Sequence, residues 1–168
     1  MKEKGYIKRP MARQPVKVFL DSNVILSGLL SDRGAPRLIL DVLSLRLPVL
    51  QGATGKYNIL EIERNLVRKM PNLVPIYNKY LPFLDLEIVP LPSPETIEAM
   101  AGQSVAKDIP VLASATACRA DYLVTGDKKD FAKAKESGEY CFQIVSPAEF
   151  LAGALQTLVT ELNADYRD

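Results

Sequence analysis

The sequence predicts an α/β fold, a three-layer α/β/α sandwich with a mostly parallel central sheet. Short apolar segments alternate along the chain with longer segments that have helical periodicity. Parallel strands need a crossover helix between them, so this alternation is typical of βαβ units. A length of 168 residues suits one domain with its own core. We expect an N-terminal arm over residues 1–15, the α/β domain over residues 16–151 and a C-terminal helix or tail over residues 152–168.

Apolar runs and turn signals justify each element in order. The predicted strands are VKVFL from residue 16, LPVLQG from residue 47, LEIVPLP from residue 86, DYLVTGD from residue 121 and FQIV from residue 142. The predicted helices are NVILSGLL, APRLILDVLSL, KYNILEIERNLVRKM, NLVPIYNKYLPFL, SPETIEAM, DIPVLASATACRA, KDFAKAKES and SPAEFLAGALQTLVTEL. Two of these helices open on Ser-Pro, which places a capping residue before a proline at the first helical position.

Composition excludes several function classes. The chain contains no histidine, which removes Ser-His-Asp and Cys-His catalysis and histidine zinc sites. Cys118 and Cys141 have no metal-like spacing and indicate a reducing compartment without disulfides. No apolar run is long enough to span a bilayer, so we expect a cytoplasmic protein with no membrane contact. The basic arm fits a solvated tail, and a nucleic-acid contact stays open as the alternative.

Four aspartates stand out by their position. Asp21 and Asp127 follow the ends of two predicted strands, and Asp108 and Asp130 stand at predicted helix starts. Each alone fits a helix cap or a turn. Taken together they point elsewhere, because the carboxyl ends of parallel strands meet at one crevice. Acids gathered there repel one another unless a cation lies among them, and Mg²⁺ or Mn²⁺ suits an all-oxygen cluster.

Two glutamates compete for a place in this cluster. In NILEIERNL the residues Ile59, Ile62 and Leu66 form one apolar face. Glu61 lies roughly opposite that face, where solvent exposure is the simple expectation. Glu63 falls within the apolar stripe and would need a partner there. Spacing alone does not choose between Glu61 and Glu63.

Three quoted segments resemble a known family. VFLDSNVILSGLLSDRGAPRLIL, EIERNL and DIPVLASATACRADYLVTGDKKDF are similar to the conserved blocks of PIN-domain ribonucleases, close to the toxin-like branch of toxin-antitoxin systems. The resemblance covers about residues 16–150, and its last block is the most specific. It selects Glu61 over Glu63. The chain departs from the family at QGATGKYN, which lacks the Ser or Thr start that many members show.

The resemblance implies an Mg²⁺- or Mn²⁺-dependent endoribonuclease that cleaves single-stranded RNA. It implies Asp21, Glu61, Asp108 and Asp127 as catalytic residues and metal ligands. Supporting roles fall to three neighbouring residues, namely Asn23, Thr125 and Asp130. RNA-backbone contacts are assigned to four basic residues near the acids, namely Lys128, Lys129, Arg64 and Arg68, for which ordinary solvated surface is an equal alternative. Expected partners are an antitoxin protein and a second copy in a homodimer or higher oligomer.

Two other readings remain open at this point. The first is a non-catalytic PIN fold that binds RNA or protein, against which four intact acids argue. The second is a structure-specific DNA nuclease, because flap-type nucleases have a similar acid-lined fold.

Overall fold

A computed structural model describes residues 14–165 of the protein, without the side chains at positions 161, 162, 164 and 165. The predicted basic arm lies outside the described residues except for its last two positions. Within the described part, no helix is long and apolar enough to cross a membrane.

The centre of the molecule is a parallel sheet with the strand order β3-β2-β1-β4-β5. All four strand pairings are parallel, which confirms the predicted sheet. The strands are β1 (Val16–Leu20), β2 (Leu50–Gly55), β3 (Glu87–Val89), β4 (Tyr122–Val124) and β5 (Gln143–Val145). The first strand of the chain is therefore the middle strand of the sheet, and its carboxyl end lies between those of β2 and β4.

Helices follow every strand. They are α1 (Ser22–Leu30), α2 (Ala35–Ser44), α3 (Lys56–Lys69), α4 (Val74–Tyr80), α5 (Pro94–Ala99), α6 (Ile109–Ala117), α7 (Ala132–Ser137), α8 (Pro147–Phe150) and α9 (Gln156–Asp165). Short 3₁₀ turns flank α4 at Pro71–Leu73 and Leu81–Leu84, and a π-helical turn at Leu151–Leu155 joins α8 to α9. The Ser-Pro prediction is confirmed in α8, where Ser146 and Glu149 form a capping box.

The core lies on both faces of the sheet, as a three-layer sandwich requires. Successive strand residues point to opposite faces, and β1 shows this alternation. Val18 and Leu20 pack with α1 to α4, α8 and α9, whereas Phe19 packs on the other face with α6 and α7. Since residues 18–20 are fully buried, the strand that ends on Asp21 is covered on both sides.

The second strand differs from its prediction by three residues. Leu47 to Leu50 form a turn, in which the Leu50 amide donates to the Leu47 carbonyl, and the strand begins only at Leu50. It then runs through Gly52 and Gly55, whose lack of apolar side chains hides it from a pattern of hydrophobic residues. Gly52 is closely packed, since an added Cβ there would lie 2.5 Å from a methyl carbon of Leu86, which would have to shift.

The C-terminal segment packs on the domain. Ala154 in the π-helical turn and Leu158 in α9 are buried within the same core cluster as β1 and α2. The chain after residue 151 therefore contributes to the core on one face of the sheet.

Candidate active site

Asp21 lies at the carboxyl end of the central strand, directly before α1. Its side chain is buried and accepts four hydrogen bonds. Oδ1 accepts from the Ser22 backbone amide at 2.7 Å and from Asn58 Nδ2 at 3.1 Å. Oδ2 accepts from Thr125 Oγ1 at 2.8 Å and from Asn23 Nδ2 at 3.2 Å. Asp21 does cap α1, but three of its four donors are side chains, which exceeds what capping requires.

Burial makes Asp21 an unusual carboxyl group. Burial raises the pKa of Asp21 from 3.8 to about 6. Hydrogen bonds from Thr125 and Ser22 act in the opposite direction but do not cancel this rise. The charges of Glu61 and Asp127 raise the pKa further. This carboxylate is thus held in a negative field that a cation would relieve.

Ser22 and Asn58 join Asp21 to Glu61. Ser22 Oγ donates to Glu61 Oε2 at 2.6 Å, and Asn58 Nδ2 donates to Ser22 Oγ at 3.0 Å. Glu61 is half-buried, whereas Glu63 is exposed. The expectation that Glu63 lies within the buried stripe of α3 is wrong, because that stripe consists of Asn58, Ile59, Ile62 and Leu66.

Thr125, Asn23 and Asp127 surround the other side of Asp21. Thr125 is fully buried at the end of β4, and its Oγ1 accepts from the Asp127 backbone amide at 3.1 Å. Asn23 Oδ1 accepts from the Gly126 amide at 2.9 Å, so the side chain of Asn23 holds the turn after β4. The two strand ends that the sequence places together are therefore joined by side-chain hydrogen bonds.

Asp108 enters from the start of α6. It stands at the N-cap position but forms no side-chain capping bond, so a capping role does not explain it. Its Oδ2 is buried without a hydrogen-bond partner. Burial raises the pKa of Asp108 to about 6, Lys107 opposes this, and the charges of Asp130, Asp21 and Asp127 add to it.

The position of Asp130 suggests a cap for the following helix, but the structure shows that it does not cap that helix. The N-cap of α7 is Phe131, without a side-chain bond. Asp130 instead pairs with Lys107, whose Nζ lies 2.6 Å from Oδ2. This pairing lowers the pKa of Asp130.

The predicted RNA-contacting cations are all exposed. Lys128 is held by Glu149, whose Oε1 lies 2.6 Å from Nζ. Among residues 14–165, no acid pairs with Lys129, Arg64 or Arg68.

Four residues of the site were missed by sequence reasoning, namely Ser22, Asn58, Tyr57 and Lys107. Tyr57 is half-buried, and its pKa is raised by burial and then by the charges of Glu61 and Asp108. The missed signal for Asn58 is its place one helical turn before Glu61 on α3. Ser22 directly follows Asp21 and Lys107 directly precedes Asp108, and this adjacency is the sequence signal that could have identified them.

The acidic side chains of the site do not converge on a single point in this structure. Within the described part of the chain, no three Asp, Glu or Cys side chains are close enough together to hold a metal ion. The donor set nevertheless fits a hard cation, because it is all oxygen and includes the unpartnered, buried Oδ2 of Asp108.

Comparison with known proteins identifies the family of the chain. A family model described as the PIN domain matches residues 17–129. The chain belongs to the PIN domain family. None of the curated protein sequences compared with it matches.

Solved structures share the PIN fold at low identity. VapBC2 from Rickettsia felis, bound to a DNA fragment from its promoter, is 15% identical with a TM-score of 0.58, over 78% of this chain and 98% of that one. A toxin-antitoxin complex from Klebsiella pneumoniae is 21% identical with a TM-score of 0.53, over 77% and 97%. VapBC-1 from nontypeable Haemophilus influenzae is 16% identical with a TM-score of 0.53, over 79% and 99%. These likenesses confirm the predicted fold class.

Proposed function

We propose that this PIN domain is a divalent-metal-dependent endoribonuclease that cleaves single-stranded RNA. The observation that carries the proposal is the buried carboxylate of Asp21, whose pKa is raised to about 6. The charges of Glu61 and Asp127 raise the pKa of Asp21, and those of Asp21 and Asp127 raise the pKa of Asp108, so acids from four segments interact. Burial of a carboxylate beside other acids disfavours its charged form, and a bound cation would offset that cost. Groups with such shifted pKa values cluster at functional sites.

Asp21, Glu61, Asp108 and Asp127 would hold Mg²⁺ or Mn²⁺. When bound, such an ion activates water and stabilises charge on a phosphate, so hydrolysis needs no histidine. Asn23 and Thr125 orient Asp21 through their hydrogen bonds to Oδ2. Glu61 and Asp127 are only partly buried, so the site is accessible from solvent.

Exposed cations beside the acids supply the contact to the RNA backbone. Lys129 lies two residues from Asp127, and Arg64 and Arg68 lie on α3 after Glu61. Arg64 is near enough to the site to lower the pKa of Tyr57. Lys128 contributes only when it leaves Glu149. Such contacts position a nucleic acid without reading its sequence.

The biological role proposed is that of the toxin in a cytoplasmic toxin-antitoxin pair. Support comes from the fold shared with the toxin-antitoxin complex from Klebsiella pneumoniae. The proposed partners are an antitoxin protein and a second copy of the chain.

The test is cleavage of labelled single-stranded RNA and matched single-stranded DNA, with Mg²⁺, with Mn²⁺ and with chelator. Wild type is compared with Asp21→Asn. Asp121→Asn is the control, because Asp121 is an exposed acid at the amino end of β4, where it accepts from the Lys17 amide at 2.7 Å.

We expect metal-dependent RNA cleavage by wild type and by Asp121→Asn, and loss of at least about 100-fold in Asp21→Asn. Cleavage of the DNA at an equal rate would favour the DNA nuclease instead. Full activity in Asp21→Asn would contradict the assignment. Folded wild type that binds neither metal nor cuts RNA would favour the non-catalytic binding module.

A further inference from the structure

Asn58 is a fully buried amide in the first turn of α3, at the centre of the site. Its Nδ2 donates two hydrogen bonds, one to Asp21 Oδ1 at 3.1 Å and one to Ser22 Oγ at 3.0 Å. A buried polar side chain is costly unless its bonds are made, so this position has a specific requirement. Asn58 is neither a carboxylate nor a residue that contacts solvent, which leaves a role exerted through its neighbours.

The direction of these bonds is determined by the amide. An NH₂ group only donates, so Ser22 Oγ must accept from Asn58. The single hydroxyl hydrogen of Ser22 is then left for Glu61 Oε2, 2.6 Å away. One amide therefore orients two carboxylates, Asp21 directly and Glu61 through Ser22.

The oxygen of the Asn58 amide lies close to the backbone of Gly55. An added Cβ at Gly55 would lie 2.8 Å from Asn58 Oδ1 and 3.0 Å from Ser114 Oγ, so both side chains approach the backbone there. Asn58 Oδ1 and Ser114 Oγ are buried without hydrogen-bond partners. Turning the amide over would place Oδ1 against the oxygens of Asp21 and Ser22, where Asp21 has no hydrogen to offer.

We propose that Asn58 is a positioning residue, which sets Asp21 and Glu61 jointly in the orientation that binds a divalent ion. This inference rests on the proposed function. Asn58 contacts neither the ion nor the RNA in this role. Its effect is transmitted through two hydrogen bonds, and partners of this kind are strong determinants of metal affinity.

The experiment measures binding of Mn²⁺ alone to the full chain, by the loss of the electron paramagnetic resonance signal of free Mn²⁺. Wild type is compared with Asn58→Leu, which keeps the branched shape and removes the hydrogen bonds. Ser22→Ala removes the hydroxyl that joins Asn58 to Glu61 Oε2 and leaves the hydrogen bond from Asn58 to Asp21 Oδ1 in place. Thr54→Val is the matched control, because Thr54 is also fully buried and its Oγ1 donates at 2.8 Å to the Leu20 carbonyl rather than to a carboxylate.

We expect Mn²⁺ affinity to fall about 10- to 100-fold in Asn58→Leu, less in Ser22→Ala, and less than about twofold in Thr54→Val. If Asn58→Leu does not fold by circular dichroism, Asn58→Ser replaces it. A serine there donates one hydrogen bond instead of two, so an intermediate affinity is expected.

Three outcomes overturn the inference. The first is an Mn²⁺ affinity in Asn58→Leu or Asn58→Ser that equals the affinity of wild type. If wild type still cuts RNA in that case, the proposed function stands and only the role of Asn58 is rejected. The second is an equal loss in Thr54→Val, because the effect is then general destabilisation. Wild type that binds no Mn²⁺ overturns both proposals. A loss specific to Asn58 in a protein that cuts no RNA supports the positioning role and contradicts the nuclease.

Discussion

Lys107 Nζ lies 2.6 Å from Asp130 Oδ2, so the acidic cluster includes a cation of its own. The charge of the same lysine opposes the rise that burial causes in the pKa of the neighbouring Asp108. A bound divalent ion would compete with this ammonium group for the negative charge of the acids.

Removing that cation should strengthen metal binding. We expect Lys107→Met to raise Mn²⁺ affinity several-fold, because the acids lose their internal countercharge. Mn²⁺ titration at low ionic strength measures the change. Lys79→Met, which removes an exposed lysine on α4, is the control and should leave the affinity unchanged. Weaker binding in Lys107→Met would show that the lysine supports the site.

Asp21 should make stability depend on pH in the absence of metal. Its pKa is raised from 3.8 to about 6 in the folded protein, so folding favours the protonated form. The contribution of Asp21 is most favourable below its unfolded pKa and is lost as the pH rises through about 6. Relative to wild type, Asp21→Asn should gain on the order of 3 kcal/mol in unfolding free energy between about pH 4 and about pH 8.

Urea unfolding in chelator at several pH values measures this difference. Thr54→Val adds and removes no titrating group, so its difference from wild type should stay constant with pH. Parallel pH profiles for Asp21→Asn and wild type would contradict the raised pKa.

Gly55 should resist substitution because of the two side chains beside it. An alanine Cβ would lie 2.8 Å from Asn58 Oδ1 and 3.2 Å from Ser114 Cβ. Gly55→Ala should cost about 1–3 kcal/mol in unfolding free energy and also weaken Mn²⁺ binding. Gly153→Ala is the control, since nothing lies within 4 Å of a Cβ there, and it should be neutral or stabilising by up to about 1 kcal/mol. Denaturant unfolding compares the two, and equal stabilities would refute the crowding argument.

Adjacent lysines should contribute unequally to RNA binding. Lys129 is unpaired among the described residues, whereas Lys128 is held by Glu149. Lys129→Ala should reduce the slope of log K against log salt by about 0.7, and Lys128→Ala by less. Glu149→Gln should release Lys128 and tighten binding at low salt. Fluorescence anisotropy with metal-free protein measures all three, and an equal loss from both lysine variants would contradict this ranking.

Much of the fold follows from local patterns, while part of the site does not. Asp21 and Asp127 are predicted together, because strand ends converge in a parallel sheet and both strands are visible as apolar runs, whereas Thr125 follows only from the family resemblance. Asn58 was not predicted, since its value depends on Ser22 and Asp21, which are 36 and 37 residues away in the chain. A helical wheel describes the faces of one helix but contains no information about which residues of other segments pack against them.

The burial of α3 shows the same limit. Periodicity places Glu63 inside the apolar stripe, yet Glu63 is exposed and the buried face consists of Ile59, Ile62 and Leu66 with Asn58. A polar residue therefore takes part in a face that apolar periodicity alone describes incompletely. Asp130 was misplaced for a similar reason, because its partner Lys107 comes from the preceding crossover.

The central position of β1 has a consequence for the timing of synthesis. Asp21 and Thr125 lie 104 residues apart in the chain but share a 2.8 Å hydrogen bond. The strand that carries Thr125 cannot pair with β1 until it has left the ribosome, and β5 follows it still later. A nascent chain therefore brings Ser22, Asn23 and Asn58 to Asp21 early, but lacks its hydrogen bond from Thr125 until late in translation. All four acids of the candidate site are present only in a chain that has emerged past Asp127, so the proposed activity would arise late in synthesis.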